Sequence, residues 1–282
     1  MKTLIKNGLL IDSANQVQAY LNLILEDGKV VAVTEEEPEA DRVIDATGKV
    51  VAPGFIDIHM HEDPVKDGKI EFCIFDAMLR MGVTTAVGGN CGINVYDPVK
   101  YLDMVEKDGA PVNVMLFAGH QYFREAAGAL DKYAPVTKEQ QEHMKKGLEK
   151  ALEAGCVGIS YGLRYVPGTG RDEFLDTASC CEKEHRMTSA HVRDDEDRVF
   201  GAVAEVAEAG KLYNIPVQVS HIGSMAGFGQ MKQLLRQVDG YRMNGIDVAC
   251  DCYPYFAFST RIGATTYDDG WSVITVITVH AS

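Results

Sequence analysis

The sequence predicts an α/β protein: a small N-terminal β-sandwich-like subdomain followed by an incomplete (β/α)8 barrel of about seven strands. Three observations support this fold class. Residues 1–53 contain short apolar runs separated by turn sequences such as Asp27-Gly28. From Phe55 onward, short apolar runs alternate with longer amphipathic stretches, the pattern of βαβ units with a parallel sheet. The predicted strands also recur at nearly constant intervals.

Seven strands are predicted within the second region, residues 54–282. They begin near Phe55, Thr84, Val112, Val157, Thr188, Val217 and Asp247. Successive starts are 28 to 31 residues apart except for one interval of 45 residues, close to the ~30 residues of a βα unit. Thr137 and Gln140 form a capping-box sequence at the start of a predicted helix over residues 138–154. A doubly wound sheet is the alternative, although no glycine-rich phosphate loop follows the first strand.

Composition and charge narrow the class of function. The 282 residues include 27 Lys+Arg and 41 Asp+Glu, a net charge of −14, and 46% are hydrophobic. A chain of this composition buries a core, so a disordered protein is excluded. The negative charge disfavours nucleic acid and anionic membranes as partners. No apolar run reaches the ~18 residues of a membrane span, and an odd number of cysteines, seven, indicates free thiols. We expect a cytoplasmic protein that acts on a small molecule.

Metal-binding side chains follow several of the predicted strands. His59 and His61 follow the first strand on the same side, and Cys91 follows the second between glycines. His191 ends the fifth strand and His221 follows the sixth. Any one of these residues alone is more often a hydrogen-bonded histidine or an inert buried thiol. Together they would meet at the carboxyl end of a barrel, where imidazole and thiolate favour Zn²⁺ over Mg²⁺ or Ca²⁺.

Several segments then resemble a known family. The sequence from Val51 to His61 is similar to the first barrel strand of the amidohydrolase superfamily. The further segments that narrow the match are Gly89–Gly92, Gly162–Gly168, His191–Asp194, Ser220-His221 and Asp251–Tyr255. With them the chain resembles the N-acyl-D-amino-acid deacylases, or D-aminoacylases, over residues 1 to about 268.

The resemblance implies a zinc-dependent hydrolase that cleaves the amide bond of N-acyl-D-amino acids by a metal-activated water. It implies one or two Zn²⁺ ions, with His59 and His61 at one position, His191 and His221 at the other, and Cys91 able to bridge them. The residues that it implies on the substrate side are Arg193, Tyr165, Tyr253, Tyr255 and His120. Either Arg193 or a tyrosine would hold the substrate carboxylate.

The sequence departs from this family in two places. Gly223 stands where the family often has a lysine. The catalytic aspartate expected at the end of strand eight is missing, since Asp268 and Asp269 come too early and the strand predicted at residues 272–279 ends in His280. The catalytic residue therefore stays unassigned. Because residues 270–282 do not resemble the family, a truncated or frame-altered product is expected.

Two other functions remain open. A chain with the metal ligands but no catalytic base would be a metal-binding fragment without turnover. A cyclic amidase such as a hydantoinase or dihydroorotase ranks lower, because those enzymes bridge their metals with a carboxylated lysine on strand four and residues 158–161 contain none. If the eighth βα unit is missing, the exposed sheet edges would favour a homo-oligomer.

Overall fold

The computed structural model describes residues 1–227, 229–255, 257, 260 and 264–268. The chain divides into two compact units, one spanning Met1–Phe55 and a second that begins at Ile56. The expectations for Asp269, for a strand at residues 272–279 and for the tail at 270–282 lie outside the described residues. Within the described ranges, no helix combines the length and apolar character that crossing a membrane requires.

The first unit consists of two small sheets. Its strands are β1 (Lys2–Lys6), β2 (Leu9–Asp12), β3 (Val17–Tyr20), β4 (Asn22–Glu26), β5 (Lys29–Thr34), β6 (Arg42–Asp45) and β7 (Val50–Val51). One sheet has the order β5-β4-β1-β6 and the other β3-β2-β7. Strands β4 and β5 form the predicted hairpin, in which Asp27 and Gly28 have φ values of 48° and 78°. Positive φ at both positions is typical of the tight turns that match strand twist.

The second unit contains a three-stranded sheet, a five-stranded sheet and one β-hairpin. Its strands are β8 (Phe55–Asp57), β9 (Val65–Lys66), β10 (Lys69–Ile70), β11 (Val83–Gly88), β12 (Asn113–Leu116), β13 (Ala118–Gly119), β14 (Gly158–Gly162), β15 (Met187–His191), β16 (Val217–Val219) and β17 (Val248–Cys250). The sheet orders are β12-β11-β8 and β13-β14-β15-β16-β17, and β9 pairs with β10. Strands β11 and β12 are parallel, as are all neighbours in the five-stranded sheet. Strands lie at all seven predicted positions.

Helices separate these strands. They are α1 (Ile74–Arg80), α2 (Pro98–Asp108), α3 (His120–Ala126), α4 (Lys138–Glu153), α5 (Arg171–Ala178), α6 (Val199–Tyr213), α7 (Ile222–Met225) and α8 (Met231–Met243), with 3-10 turns at Asn90–Gly92, Ser179–Cys181, Glu196–Arg198 and Thr265–Tyr267. The capping box predicted for α4 is present, because the Thr137 side chain accepts from the Gln140 amide and the Gln140 side chain accepts from the Thr137 amide. This alternation of strands and helices confirms the α/β class.

The core of the second unit lies between the parallel strands and their covering helices. Ile159 and Val219 from the strands and Leu148, Phe174 and Val203 from the helices are fully buried. Parallel strands covered in this way are largely apolar. The histidine, cysteine and aspartate side chains of interest lie instead at or after the carboxyl ends of β8, β11, β15, β16 and β17. All seven cysteines are free thiols.

Candidate metal centre

The five residues predicted to bind metal lie together at the carboxyl ends of the strands. Their ligand atoms form two triplets, His59–His61–Cys91 and Cys91–His191–His221, and within each triplet all the atoms lie within 4.8 Å of one another. Cys91 belongs to both triplets. Its Sγ is 3.5 Å from His59 Nε2 and 3.6 Å from His221 Nε2. One thiol therefore stands between two groups of imidazoles.

The backbone at two of these residues is strained. Cys91 has a φ of 56° and His221 a φ of 34°, in the left-handed region that side chains other than glycine rarely adopt. The Cys91 turn is also tightly enclosed. A Cβ atom at Gly89 would overlap the Phe117 carbonyl oxygen, and one at Gly162 would overlap that of Cys91 itself. The glycines allow the turn to approach neighbouring backbone closely, which holds the Cys91 thiol beside the imidazoles.

Glu62, which directly follows His61, holds the loop that carries Cys91. The Glu62 side chain is buried, and its carboxylate accepts from the backbone amides of Gly89 at 2.7 Å and Val95 at 3.1 Å, and from the Asn94 side chain at 3.3 Å. The segment that follows β8 and the loop that follows β11 are therefore held together. The sequence analysis missed this residue, although an acidic side chain directly after a His-x-His pair was the available signal.

Asp251, which directly follows β17, contacts both histidine groups. Its carboxylate accepts from the His221 backbone amide at 2.6 Å and from Gln218 Nε2 at 2.8 Å. His59 Nδ1 lies 3.3 Å from Asp251 Oδ2 and 3.2 Å from Oδ1. The sequence analysis included Asp251 in a motif without giving it a role.

Burial and neighbouring charges give the three inner histidines different pKa values. Burial lowers the His59 pKa, but hydrogen bonds with Asp251 and Cys91 outweigh that effect and raise it to about 10. Burial, and then the charge of His59, lowers the His221 pKa to about 4. Burial and the charges of His221 and His59 hold the His191 pKa well below its usual value. Of these three imidazoles, His59 is therefore the one whose surroundings most favour the protonated form.

The donor set fits a zinc ion. Imidazole nitrogen and thiolate sulfur are the ligands that Zn²⁺ prefers, whereas Mg²⁺ and Ca²⁺ prefer oxygen. His191 Nδ1 is buried, and among the described residues no group forms a hydrogen bond with it. A buried nitrogen without a partner is costly in an apoprotein. The cluster therefore combines the ligand types of a zinc site with a buried ring nitrogen, His191 Nδ1, that forms no hydrogen bond with the described residues.

Two of the predicted substrate-side residues, Tyr165 and Tyr253, line the cavity around the cluster, together with Asp195, Ser224 and Met225. The Tyr165 ring lies 4.3 Å from the His191 ring, measured between centroids. Among the described residues that line this cavity there is no lysine or arginine. The hydroxyl-bearing side chains that line it include Tyr165, Tyr253 and Ser224.

Arg193 and Tyr255 do not lie where the substrate-side expectation requires. Arg193 forms a bidentate ion pair with Glu205 on α6, at 2.9 and 2.8 Å. The Nε and Nη2 nitrogens of Arg193 are therefore engaged by a carboxylate of this chain. Tyr255 is 74% exposed and does not line the cavity.

His120 also differs from expectation, because it belongs to a buried ionic cluster. Its Nε2 lies 3.0 Å from Glu173 Oε1, and Arg124 Nη1 contacts both oxygens of the same carboxylate at 2.7 and 3.0 Å. All three side chains are buried. Burial raises the Glu173 pKa, but His120 and Arg124 outweigh it and hold that pKa below its usual value. His120 therefore has a packed ionic environment outside the cavity.

Asp194 and Asp268 both contact other side chains of this chain. Asp194 Oδ1 lies 3.1 Å from an Arg198 nitrogen and 3.6 Å from an Arg164 nitrogen. Asp268 accepts a hydrogen bond from the Tyr133 hydroxyl at 2.9 Å. Asp195 is the aspartate that lines the cavity in the described part of the chain.

Part of this chain matches a known family. Residues 42–164, which include β8, His59, His61 and Cys91, match the model of an amidohydrolase family. The chain therefore contains an amidohydrolase-family domain. It is 31% identical to the N-acyl-D-glutamate deacylase of Alcaligenes xylosoxydans xylosoxydans and 28% identical to the D-aminoacylase of the same organism. These alignments cover 91% and 92% of this chain, and 57% and 58% of the relatives.

A solved structure has a similar fold. The crystal structure of N-acyl-D-glutamate deacylase from Bordetella bronchiseptica, complexed with zinc and a phosphonate inhibitor, matches with a TM-score of 0.80 and 30% identity. The match covers 90% of this chain and 58% of that chain. The resemblance predicted from the sequence motifs is thereby confirmed. This chain spans somewhat more than half the length of the relatives it matches.

Proposed function

We propose that this chain binds zinc and cleaves the amide bond of N-acyl-D-amino acids. The observation that carries the proposal is the convergence of His59, His61, Cys91, His191 and His221 on one cavity, with Cys91 in both triplets. The deacylase relatives, one of which is complexed with zinc, support this assignment. The same triplets support a capacity for one or two ions. We propose a TIM-like barrel of about seven strands as the scaffold of the site, and residues 1–53 and 54–282 as its domains.

The residues of the site would have separate roles in this reaction. The five ligands would hold zinc, which supplies a Lewis acid that polarises a carbonyl and lowers the pKa of water to about 7 when bound. Tyr165 and Tyr253 line the cavity and would contact the substrate. Asp195 lines the cavity and, among the described residues, is the aspartate that would be tested first as a proton acceptor. Met225 contributes an apolar wall to the same cavity.

A metal-binding chain without efficient turnover is the second candidate. It is favoured by the engagement of Asp194 with arginines and of Asp268 with Tyr133. Loss of a general acid–base typically costs about 10²–10⁴-fold in rate. We therefore expect slow hydrolysis by this polypeptide, despite zinc binding.

The experiment is a zinc titration of the purified chain followed by assays of free amino acid released from N-acetyl-D-glutamate and N-acetyl-D-methionine. Zinc uptake with release from the D substrates, and none from their L enantiomers, supports the deacylase. Zinc uptake without release supports the second candidate. Absence of zinc uptake at neutral pH refutes both. Sedimentation of the same sample tests the proposed homo-oligomer.

A further inference from the structure

Asp251 stands between the two groups of imidazoles, and its contacts differ in kind. Toward His221 it accepts a backbone amide at 2.6 Å, and toward His59 it faces the ring nitrogen Nδ1 at 3.2 to 3.3 Å. Its backbone also participates, because the Asp251 carbonyl accepts from the Ile222 amide at 2.9 Å. Asp251, which directly follows β17, therefore contacts both groups of imidazoles.

We propose that Asp251 is a positioning residue that orients His59 and His221 toward a shared metal position. This inference rests on the zinc site proposed above and adds the residue that arranges two of its ligands. Asp251 would act through the imidazoles and would not itself contact metal or substrate.

The orientation of His59 follows from which of its nitrogens is occupied. An ionised carboxylate only accepts hydrogen bonds, so it requires the proton on His59 Nδ1. In the neutral ring, the form that binds metal, the lone pair is then on Nε2, the nitrogen that lies 3.5 Å from Cys91 Sγ. A carboxylate on the distal nitrogen fixes the tautomer and ring direction of a metal-binding histidine and increases its basicity.

The orientation of His221 follows from its backbone. At a φ of 34° the residue is strained, and two bonds to Asp251 oppose relaxation: the His221 amide to the carboxylate and the Ile222 amide to the carbonyl. The His221 ring is tied at its distal nitrogen too, because Ser224 Oγ lies 3.0 Å from Nδ1. His221 Nε2 is thereby directed to Cys91 Sγ, as is Nε2 of His59.

Gln218 fixes the carboxylate itself. This side chain is buried on β16, and its amide nitrogen donates to Asp251 Oδ2 at 2.8 Å. The carboxylate therefore receives three hydrogen bonds from three directions when the His59 proton is included. An asparagine at position 251 would retain one oxygen for the His221 amide but present an N–H group to the donors of His59 and Gln218. Donors would then face donors, and His59 would lose its fixed tautomer.

The test compares Asp251→Asn with Asp57→Asn. Asp57 is a matched control because it lies beside the same histidine but accepts from the His59 backbone amide, at 2.9 Å, rather than from the ring. Both substitutions remove one negative charge near the site. Zinc affinity is measured by competition with a chromophoric chelator, zinc stoichiometry by elemental analysis, and the His59 ring by ¹⁵N–¹H NMR of the zinc-loaded chain.

We expect Asp251→Asn to weaken zinc binding by about 10- to 100-fold, the usual effect of removing such a partner, and Asp57→Asn to change it less than threefold. We also expect an observable Nδ1–H signal of His59 in the wild-type chain that is lost in Asp251→Asn. Equal zinc affinities of wild type and Asp251→Asn would overturn this inference and leave the proposed zinc site intact. A wild type that takes up no zinc would refute the metal site, and this inference with it.

Folding of the variant does not limit the test. If Asp251→Asn fails to fold, by circular dichroism, the zinc-loaded wild type decides. A slowly exchanging proton on His59 Nδ1 supports the inference, whereas coordination of zinc through Nδ1 overturns it, because that nitrogen would then not face the carboxylate.

Discussion

Replacement of Cys91 by serine should remove zinc from both positions of the cluster, whereas replacement of His61 should affect one. The difference follows from the two triplets, because Cys91 belongs to both and His61 to the first alone. His61→Ala leaves Cys91, His191 and His221 in place. Cys91→Ser leaves two imidazoles on each side and a hydroxyl between them, which is a poor substitute for thiolate.

The size of the effect can be worked from the number of ligands. Four-ligand structural zinc sites bind with about 10–16 kcal/mol at neutral pH, or about 2.5–4 kcal/mol per ligand if the ligands share it equally. Each 1.4 kcal/mol is about tenfold in affinity. Cys91→Ser should therefore weaken zinc binding by roughly 10²–10³-fold at each position that the wild type fills.

Chelator competition measures the zinc affinity, and elemental analysis after dialysis measures the zinc stoichiometry. Cys73→Ser is the control, because the Cys73 thiol lies 2.9 Å from Asp63 Oδ1 and belongs to neither triplet. If Cys91→Ser retains wild-type stoichiometry and affinity, Cys91 is a packing residue and the reasoning fails. If His61→Ala loses as much zinc as Cys91→Ser, the two triplets do not act as separate positions.

Three further predictions concern protons and stability. Zinc binding should release a proton from His59, whose pKa is raised to about 10. The zinc affinity should therefore rise by up to about tenfold per pH unit between pH 6.5 and 10. Calorimetry in buffers of different ionisation enthalpy would count the released proton. In the metal-free chain, Cys91→Gly should be more stable than Cys91→Ala by about 0.5–1 kcal/mol in urea, because relief of the left-handed strain exceeds the entropic cost of glycine; equal stabilities would show that no strain is stored there. Glu173→Gln should lower the free energy of unfolding by about 3–5 kcal/mol, because Arg124 is left buried without its counter-charge. The Glu173 carboxyl pKa is lowered by folding, so its contribution is lost as the pH falls below 4.5, and the difference in urea midpoint between wild type and variant should narrow there.

The strands and the convergence of metal-binding residues were predictable because both follow from local patterns. Apolar runs about 30 residues apart indicate parallel strands, and the carboxyl ends of such strands meet on one side of the fold. Residues His59, Cys91 and His191 could therefore be grouped without knowledge of any distance. The structure brings them together as expected, and their role as ligands remains a proposal.

The partners of these residues were not predictable in the same way. Glu62 and Asp251 bind backbone amides that are remote in sequence, and an acidic residue after a strand carries no mark of which amide it will meet. The ion pair of Arg193 was not predictable for a related reason. Its counter-charge, Glu205, lies on α6, and the helical phase that brings Glu205 back over the strand end decides the pairing. Motif matching identifies side-chain types but gives no information about competing ion pairs.

His59 and Asp251 are 192 residues apart in the chain, and Cys91 and His221 are 130 apart. Closing such loops costs conformational entropy before these contacts can stabilise the fold, so we expect them to form late in folding. A polypeptide emerging from the ribosome would display His59, His61 and Cys91 long before β17 exists. During that interval the exposed imidazoles and thiol follow the intrinsic affinity order, in which copper exceeds zinc. Correct metal loading would therefore depend on which ions are available when the last parallel strand joins the sheet.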